Sequence, residues 1–189
     1  MIYRIIIAGA GGQGIMMMGK VLAEAGMREG RNVTYLPAYG AEVRGGTANC
    51  MVVISDGAIG SPLVQEADIL VIMNEPSLVR FSGTLSRKGL MLVNSSLVPA
   101  GASGPQGGPG GRMLRLPFTE IAIKAGNQKA ANMAALGSFC AAAPVVSIET
   151  VAEIIEEITP PGKKELFTLN KSALDAGKRL IEERGIKNG

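Results

Sequence analysis

The sequence predicts an α/β domain of three layers, built on a mostly parallel sheet. Three observations carry this. The β-branched run Ile5-Ile6-Ile7 suits a strand buried on both faces. It stops in the glycine-rich turn Gly9-Ala10-Gly11-Gly12-Gln13-Gly14, which fits the G-x-G-x-x-G spacing and leads into a helix-forming segment. Strand-like runs then dominate the first half of the chain and helical patterns the second. At 189 residues the chain suits one domain with a single sizeable core, taken here as residues 1–189. Its apolar content is 47% with 4% aromatic and no Trp, so the core must be assembled from aliphatic side chains and Met.

Ile15 to Glu29 reads as the first helix, because Ile15, Gly19, Leu22 and Gly26 recur on one face. The small residues on that face let the helix approach the sheet closely. Gly30 closes it, and Asn32 to Leu36 reads as a second strand, which gives a right-handed βαβ unit over Ile5 to Leu36. Pro37 to Thr47 is polar and turn-like, leaving that strand at its carboxyl end. Ala48 to Ile54, Asp68 to Met73 and Leu90 to Val93 read as further strands, and Asn74-Glu75-Pro76-Ser77 as the entry to a helix reaching Phe81.

Ala100 to Gly111 is dense in glycine and proline and carries no charge, so it reads as a flexible connection. Arg112 to Leu116 returns to strand pattern. Helices follow at Pro117 to Ala125, ended by Gly126, and at Asn132 to Ala143, stopped by Pro144. The C-terminal region 147–189 is helical. Ser147 caps a helix that runs to about Ile158, with Glu149 in its first turn, and Thr159-Pro160-Pro161-Gly162 breaks the chain. In Lys163 to Glu183 the residues Leu166, Leu169, Ala173, Ala176 and Leu180 form the expected apolar side.

Composition excludes several kinds of chemistry. With no histidine, a histidine base, a Ser-His pair and an imidazole metal site are ruled out. Cys50 and Cys140 stand alone in apolar surroundings, too few for an iron–sulfur cluster and with no base nearby to activate them. Gly19-Lys20 is followed by Val21, so the hydroxyl of a P-loop is missing. Asp56-Gly57 has the outline of a thiamine diphosphate motif but lacks the downstream Asn pair. The net charge of +3 is spread along the chain rather than clustered, which argues against nucleic acid. No apolar run approaches the ~18 to 20 residues that span a bilayer and no leader pattern precedes the first strand, so the cytoplasm is expected.

Two stretches remain as candidate sites. The turn Gly9, Gly11, Gly12, Gln13 and Gly14 has a strand before it and a helix after it, as dinucleotide binding requires. That reading also needs an acidic residue ~20 positions on to hold the ribose, where this chain has Tyr35, Leu36 and Pro37. A turn kept for packing, or for a partner's ligand, is the competing reading. The second stretch, Tyr39-Gly40-Ala41-Glu42-Val43-Arg44-Gly45-Gly46-Thr47, places Tyr39, Glu42 and Arg44 among Gly40, Gly45 and Gly46. It reads equally as a solvated loop and as a surface that presents opposite charges. Met16, Met17 and Met18 read as helix packing.

These motifs together resemble the gamma subunit of the 2-oxoacid:ferredoxin oxidoreductases, in the pyruvate/ketoisovalerate oxidoreductase catalytic-domain family. The chain is most similar to those of the 2-oxoglutarate and branched-chain 2-oxoacid enzymes. The resemblance is carried by Gly9 to Gly14, by Tyr39 through Cys50, and by Ile54-Ser55-Asp56. Weaker echoes follow at Asn94-Ser95-Ser96, Pro117 to Ala122, Gly126-Asn127 and Asn132-Met133 through Leu136-Gly137. The related indolepyruvate subunit would carry His and Gln in the second loop. The Ala100 to Gly111 stretch is richer in glycine and proline than the family pattern.

The resemblance implies a chain that does not catalyse alone. It would assemble with alpha and beta subunits and with a small ferredoxin-like delta subunit. The complex would decarboxylate a 2-oxoacid, 2-oxoglutarate being favoured, to an acyl-coenzyme A. It would use thiamine diphosphate with magnesium, and iron–sulfur clusters that pass electrons to ferredoxin. The glycine loops would face the partners or the entry of coenzyme A, with Arg44 meeting a phosphate or carboxylate and Glu42 a partner cation. Left alone, such a chain should self-associate through its bare partner surface. The alternatives are a self-contained NAD- or FAD-binding oxidoreductase and a non-enzymatic interaction module.

Overall fold

The protein is described from a computed structural model, over residues 1–38, 47–102 and 111–186. In chain order the strands are β1 (Ile2–Ala10), β2 (Asn32–Ala38), β3 (Thr47–Ser55), β4 (Ala67–Ile72), β5 (Leu85–Asn94) and β6 (Arg112–Leu116). The helices are α1 (Ile15–Arg28), α2 (Glu75–Phe81), α3 (Phe118–Lys124), α4 (Ala131–Ala142), α5 (Ile148–Ile158) and α6 (Lys164–Glu183). One six-stranded sheet runs in the order β2-β3-β1-β4-β5-β6. β1, β4, β5 and β6 pair in parallel, and β3 is antiparallel to both of its neighbours, β1 and β2.

The sheet is mostly parallel, as expected, but the expected βαβ unit is split. β2 does not lie against β1; β3 is inserted between them, pairing along its whole length from Ile2↔Ser55 to Ala10↔Thr47. β2 is thereby pushed to the edge. Its residues are half-buried or exposed, and Pro37 is tolerated there because an edge strand leaves one row of backbone groups unpaired. β5 begins at Leu85, five residues before the expected start, across an irregular register with β4 between Ala67 and Ile69.

The alternation of β1 divides the molecule. Ile5 and Ile7 face one core and Ile6 and Ala8 the other, and all four are 0% exposed. Burying each isoleucine is worth about 1.5–3 kcal/mol. The first face carries α1, α3, α4, α5 and α6, while among the described residues the second is covered by α2 and by the loops before β4 and after β5 that bring Val64 and Val98. The three layers are therefore unequal.

α1 follows its predicted face. A Cβ added at Gly19 would run into Cys50 Sγ and lie 2.8 Å from Tyr35 Cε2, and one added at Gly26 would lie 2.9 Å from Val33 Cγ2 and 3.2 Å from Ile54 Cδ1, so both glycines are where the helix nearly touches β2 and β3. α2 and α5 start where expected, with Asn74 Oδ1 accepting from Ser77 N–H (3.1 Å) and Ser147 Oγ from Thr150 N–H (3.1 Å). α6 departs from expectation. Its buried face is Ala173, Leu174, Gly177 and Ile181, and of the expected stripe only Ala173 is fully covered. The reason is α4. A Cβ on Gly137 would run into the Leu174 carbonyl, and one on Gly177 into the Ala134 carbonyl, so the two helices cross backbone to backbone. No helix among the described residues is long and apolar enough to cross a membrane.

Candidate functional site

The turn after β1 and the loop after β4 part company at the carboxyl end of the sheet. β1 feeds α1 on the first face, whereas its parallel neighbour β4 feeds α2 on the second. Between such strand ends an open α/β sheet leaves a crevice, the position where ligands bind in folds of this kind. Here the crevice measures about 410 Å³. Gly12 and Gln13 line it from the first turn, Met73 from the end of β4, and Leu97 from the turn after β5. Thr119 reaches it from the first turn of α3, and Asn127, Gln128 and Lys129 from the short 3-10 turn before α4.

The glycines of the turn divide by role. Gly9 leaves room for Gln13: a Cβ there would sit 2.5 Å from Gln13 Oε1 and 2.8 Å from Met73 Cβ. Gly14 has φ +73°, and a Cβ on it would strike the Asn132 amide. These two are packing glycines. A Cβ added at Gly11 or Gly12 would meet nothing within 4 Å, and Gly12 has φ +86°. Both face open space, and Gly12 does so at the crevice.

Gln13 is held by its own turn and by the end of β4. Its Oε1 accepts from Ala10 N–H at 2.7 Å, and its Nε2 donates to the Met73 carbonyl at 3.4 Å. Asn94, wholly buried at the carboxyl end of β5, donates from Nδ2 to the same carbonyl at 3.4 Å and to Thr119 Oγ1 at 3.0 Å. Its Oδ1 accepts from Ser96 N–H (3.3 Å) and Thr119 N–H (3.4 Å). The crevice floor is thus a chain of amide contacts joining the ends of β1, β4 and β5 to α3.

Of the second predicted group, Tyr39, Gly40, Glu42, Arg44, Gly45 and Gly46 lie outside the described residues. Their flanks are clear. Ala38 pairs with Asn49, and Thr47 pairs with Ala10 at the base of the first turn, so both predicted loops leave the same end of the sheet. Arg80 of α2 ties the second loop's exit by donating from Nη1 to Thr47 Oγ1 at 2.7 Å.

Sequence reasoning named the turn but not Asn94, Thr119 or Asn127 to Lys129 as site residues. Asn94, Thr119 and Asn127 do fall in the segments that echo the family, which was the available signal. The place of the missing ribose acid is taken by Tyr35, whose hydroxyl donates to the Met16 carbonyl at 3.2 Å. Cys50 is fully buried, and burial pushes its thiol up to about 12. The Cys140 thiol also stands at about 12, through burial and the nearby Glu29 and Glu149 charges. Among the described residues no three His, Cys, Asp or Glu side chains gather into a metal-ligating group. Lys129 is the one ionisable side chain lining the crevice among those residues. The arrangement can hold and orient a polar ligand; among the described residues its lining carries amides, the Thr119 hydroxyl and the Lys129 amine, and no carboxylate, thiol or imidazole.

The chain matches the family described as pyruvate ferredoxin/flavodoxin oxidoreductase over residues 4–180. It is 36% identical to the 2-oxoglutarate synthase subunit KorC of Methanothermobacter thermautotrophicus, across 94% of each chain. It is 39% identical to the ketoisovalerate oxidoreductase subunit VorA of the same organism over 95% of its own length, but spans only 36% of that protein. Among solved structures, the gamma subunit of a keto/oxoacid ferredoxin oxidoreductase from Geobacter sulfurreducens superimposes with a TM-score of 0.79 at 29% identity, covering 94% of this chain and 96% of that one. The 2-oxoglutarate:ferredoxin oxidoreductase of Magnetococcus marinus, solved with 2-oxoglutarate, coenzyme A and succinyl-CoA, gives a TM-score of 0.85 at 25% identity, over 99% of this chain and 32% of that one. A family match over nearly the whole chain, a 36% identical relative of the same length and a solved gamma subunit of the same fold agree, and this chain belongs to the pyruvate ferredoxin/flavodoxin oxidoreductase family.

Proposed function

We propose that this chain is the gamma subunit of a multi-subunit 2-oxoacid:ferredoxin oxidoreductase of the cytoplasm, and that 2-oxoglutarate is its substrate. The observation that carries the reading is the match over 94% of each chain to a 2-oxoglutarate synthase subunit, in a chain whose crevice, among the described residues, is lined by amides, Thr119 and Lys129 rather than by carboxylates or thiols. Alpha and beta subunits, and a ferredoxin-like delta subunit, are its partners, and ferredoxin takes the electrons. Thiamine diphosphate, magnesium and the iron–sulfur clusters fit those chains rather than this one. A diphosphate-bound magnesium needs oxygen ligands and a cluster needs about four thiolates, while the two cysteines here lie in β3 and α4.

In this reading Gly11 and Gly12 let backbone approach a partner chain or coenzyme A, and Gln13 holds their turn in shape. Gly9 and Gly14 keep that turn against the sheet and α4. Tyr39, Gly40, Glu42, Arg44, Gly45 and Gly46 form the second contact, with Arg44 meeting a phosphate or carboxylate and Glu42 a partner cation. A self-contained NAD- or FAD-dependent enzyme is disfavoured, because the position that should hold the ribose is occupied by Tyr35, tied to α1.

The test is coenzyme A-dependent reduction of a viologen dye by the co-expressed complex, with and without this chain. 2-Oxoglutarate, 2-oxoisovalerate, pyruvate and indolepyruvate are each supplied. Activity that needs the chain and is greatest with 2-oxoglutarate is the expected result. Full activity without the chain, or its failure to co-purify, overturns the reading, and greater activity with another acid overturns the substrate.

A further inference from the structure

We infer that Asn94 is a positioning residue for the crevice, holding three of its walls at once while never touching what binds there. Its side chain is 0% exposed, so no ligand reaches it. From that position it reaches Thr119 twice, through the hydroxyl and the backbone N–H, and Thr119 lines the crevice. It holds the Ser96 N–H and so sets the turn that carries Leu97, the facing wall. It also shares the Met73 carbonyl with Gln13, whose other end fixes the turn that exposes Gly11 and Gly12.

The geometry has a chemical reason. An amide offers two N–H donors together with an acceptor oxygen, where a hydroxyl of similar size has one donor, and this place between a carbonyl, a hydroxyl and two N–H groups uses both donors and the acceptor. Aspartate keeps the acceptor but turns a carboxylate toward the Met73 carbonyl. Leucine removes the side-chain partner of the Thr119 hydroxyl and of the Ser96 and Thr119 N–H groups, leaving the Met73 carbonyl to Gln13 alone. Because a small misplacement of a binding wall is felt strongly by a bound substrate, Asn94 sets affinity at the crevice through Thr119 and Leu97. This inference rests on the proposed function only for the identity of the ligand.

Two measurements test it. In the assembled complex, Asn94→Ala should raise the KM for coenzyme A or the 2-oxoacid about tenfold while kcat stays within about twofold. Thr119→Val should give part of that rise and Thr119→Ser little of it. Asn94→Ala combined with Thr119→Val should lose less than the product of the two single changes, since both break one contact. In the full chain alone, amide exchange should quicken at Gly12, Gln13, Leu97 and Thr119 in Asn94→Ala and stay unchanged along the β1–β3 ladder.

Exchange that quickens uniformly, or a KM unmoved by Asn94→Ala, overturns the inference. If the complex proves active without this chain, the proposed function fails. The exchange pattern of the chain alone then still decides whether Asn94 holds the crevice.

Discussion

Two sets of glycines in this molecule do different work. At the α4–α6 crossing, Gly137 and Gly177 each lie against the other helix's backbone, both are buried, and neither has a positive φ. In the first turn, Gly12 and Gly14 have φ +86° and +73°, and Gly11 and Gly12 stand open. The first pair gives up side chains so that two helices can share a core. The second group gives them up so that backbone bends and stays accessible. A residue type therefore carries no function by itself; what its absent Cβ would meet decides the role.

The comparison breaks first at the crossing. Gly137→Ala or Gly177→Ala should cost about 3 kcal/mol, because a rigid backbone carbonyl rather than a flexible side chain must give way. The urea midpoint should fall with an unchanged slope, and the double substitution should cost less than the sum, since the helices have already been forced apart. A loss below about 1 kcal/mol would mean that the helices slide apart easily.

Gly14→Ala comes next, at about 2 kcal/mol, from the left-handed backbone and the clash with Asn132 together. Adding Asn132→Ala should recover only part, because the backbone term remains. Full recovery in thermal melts would show that φ contributes nothing here.

The open glycines should show the reverse balance. Gly12→Ala should cost about 1 kcal/mol from its φ alone, and Gly11→Ala less than about 0.5 kcal/mol. Both should lower the coenzyme A-dependent rate of the complex more than Gly14→Ala does at equal amounts of folded protein. A Gly11→Ala complex with wild-type kinetics would show that the open side of the turn is unused.

The smallest effect lies on the surface, far from both regions. Arg28 bridges Glu24 and Glu157 at 2.7 and 2.6 Å, and its hydrogen bond holds the Glu157 carboxyl below the ordinary range. A depressed carboxyl pKa adds stability above the unfolded-state value of ~4.3 and loses it as pH falls through the lower folded value. Both groups are exposed, so the loss should be slight and shrink in salt. Melting curves of Glu157→Gln should be flatter than wild type across that acid range and match it at neutral pH with high salt.

Much of the fold was legible because its signals are local. Ile5 to Ile7 can only be a buried strand, Asn74 and Ser147 cap with their own side chains, and Ile15, Gly19, Leu22 and Gly26 lie on one helical face whatever surrounds them. The same locality made the first turn recognisable as a candidate site. The face of α6 was not legible in this way. Leu166, Leu169, Ala176 and Leu180 are as apolar as the residues that are buried, and the backbone approach of α4 at Leu174 and Gly177 turns the helix so that Ala173, Leu174, Gly177 and Ile181 face inward.

The same limit applies to the sheet and the site. Nothing local says that β3 inserts between β2 and β1, because strand order depends on pairings between residues far apart in the chain, such as Ala10 with Thr47. Asn94, Thr119 and Lys129 read along the chain as ordinary polar residues, and they meet only when β5, α3 and α4 converge on the crevice. The sequence by itself determined the elements, their caps, the family and the chemistry the chain lacks, since each follows from residue type and short spacing. Tertiary structure alone decided which glycines pack and which stay open, and which amides hold the crevice, because those depend on what the folded chain brings alongside.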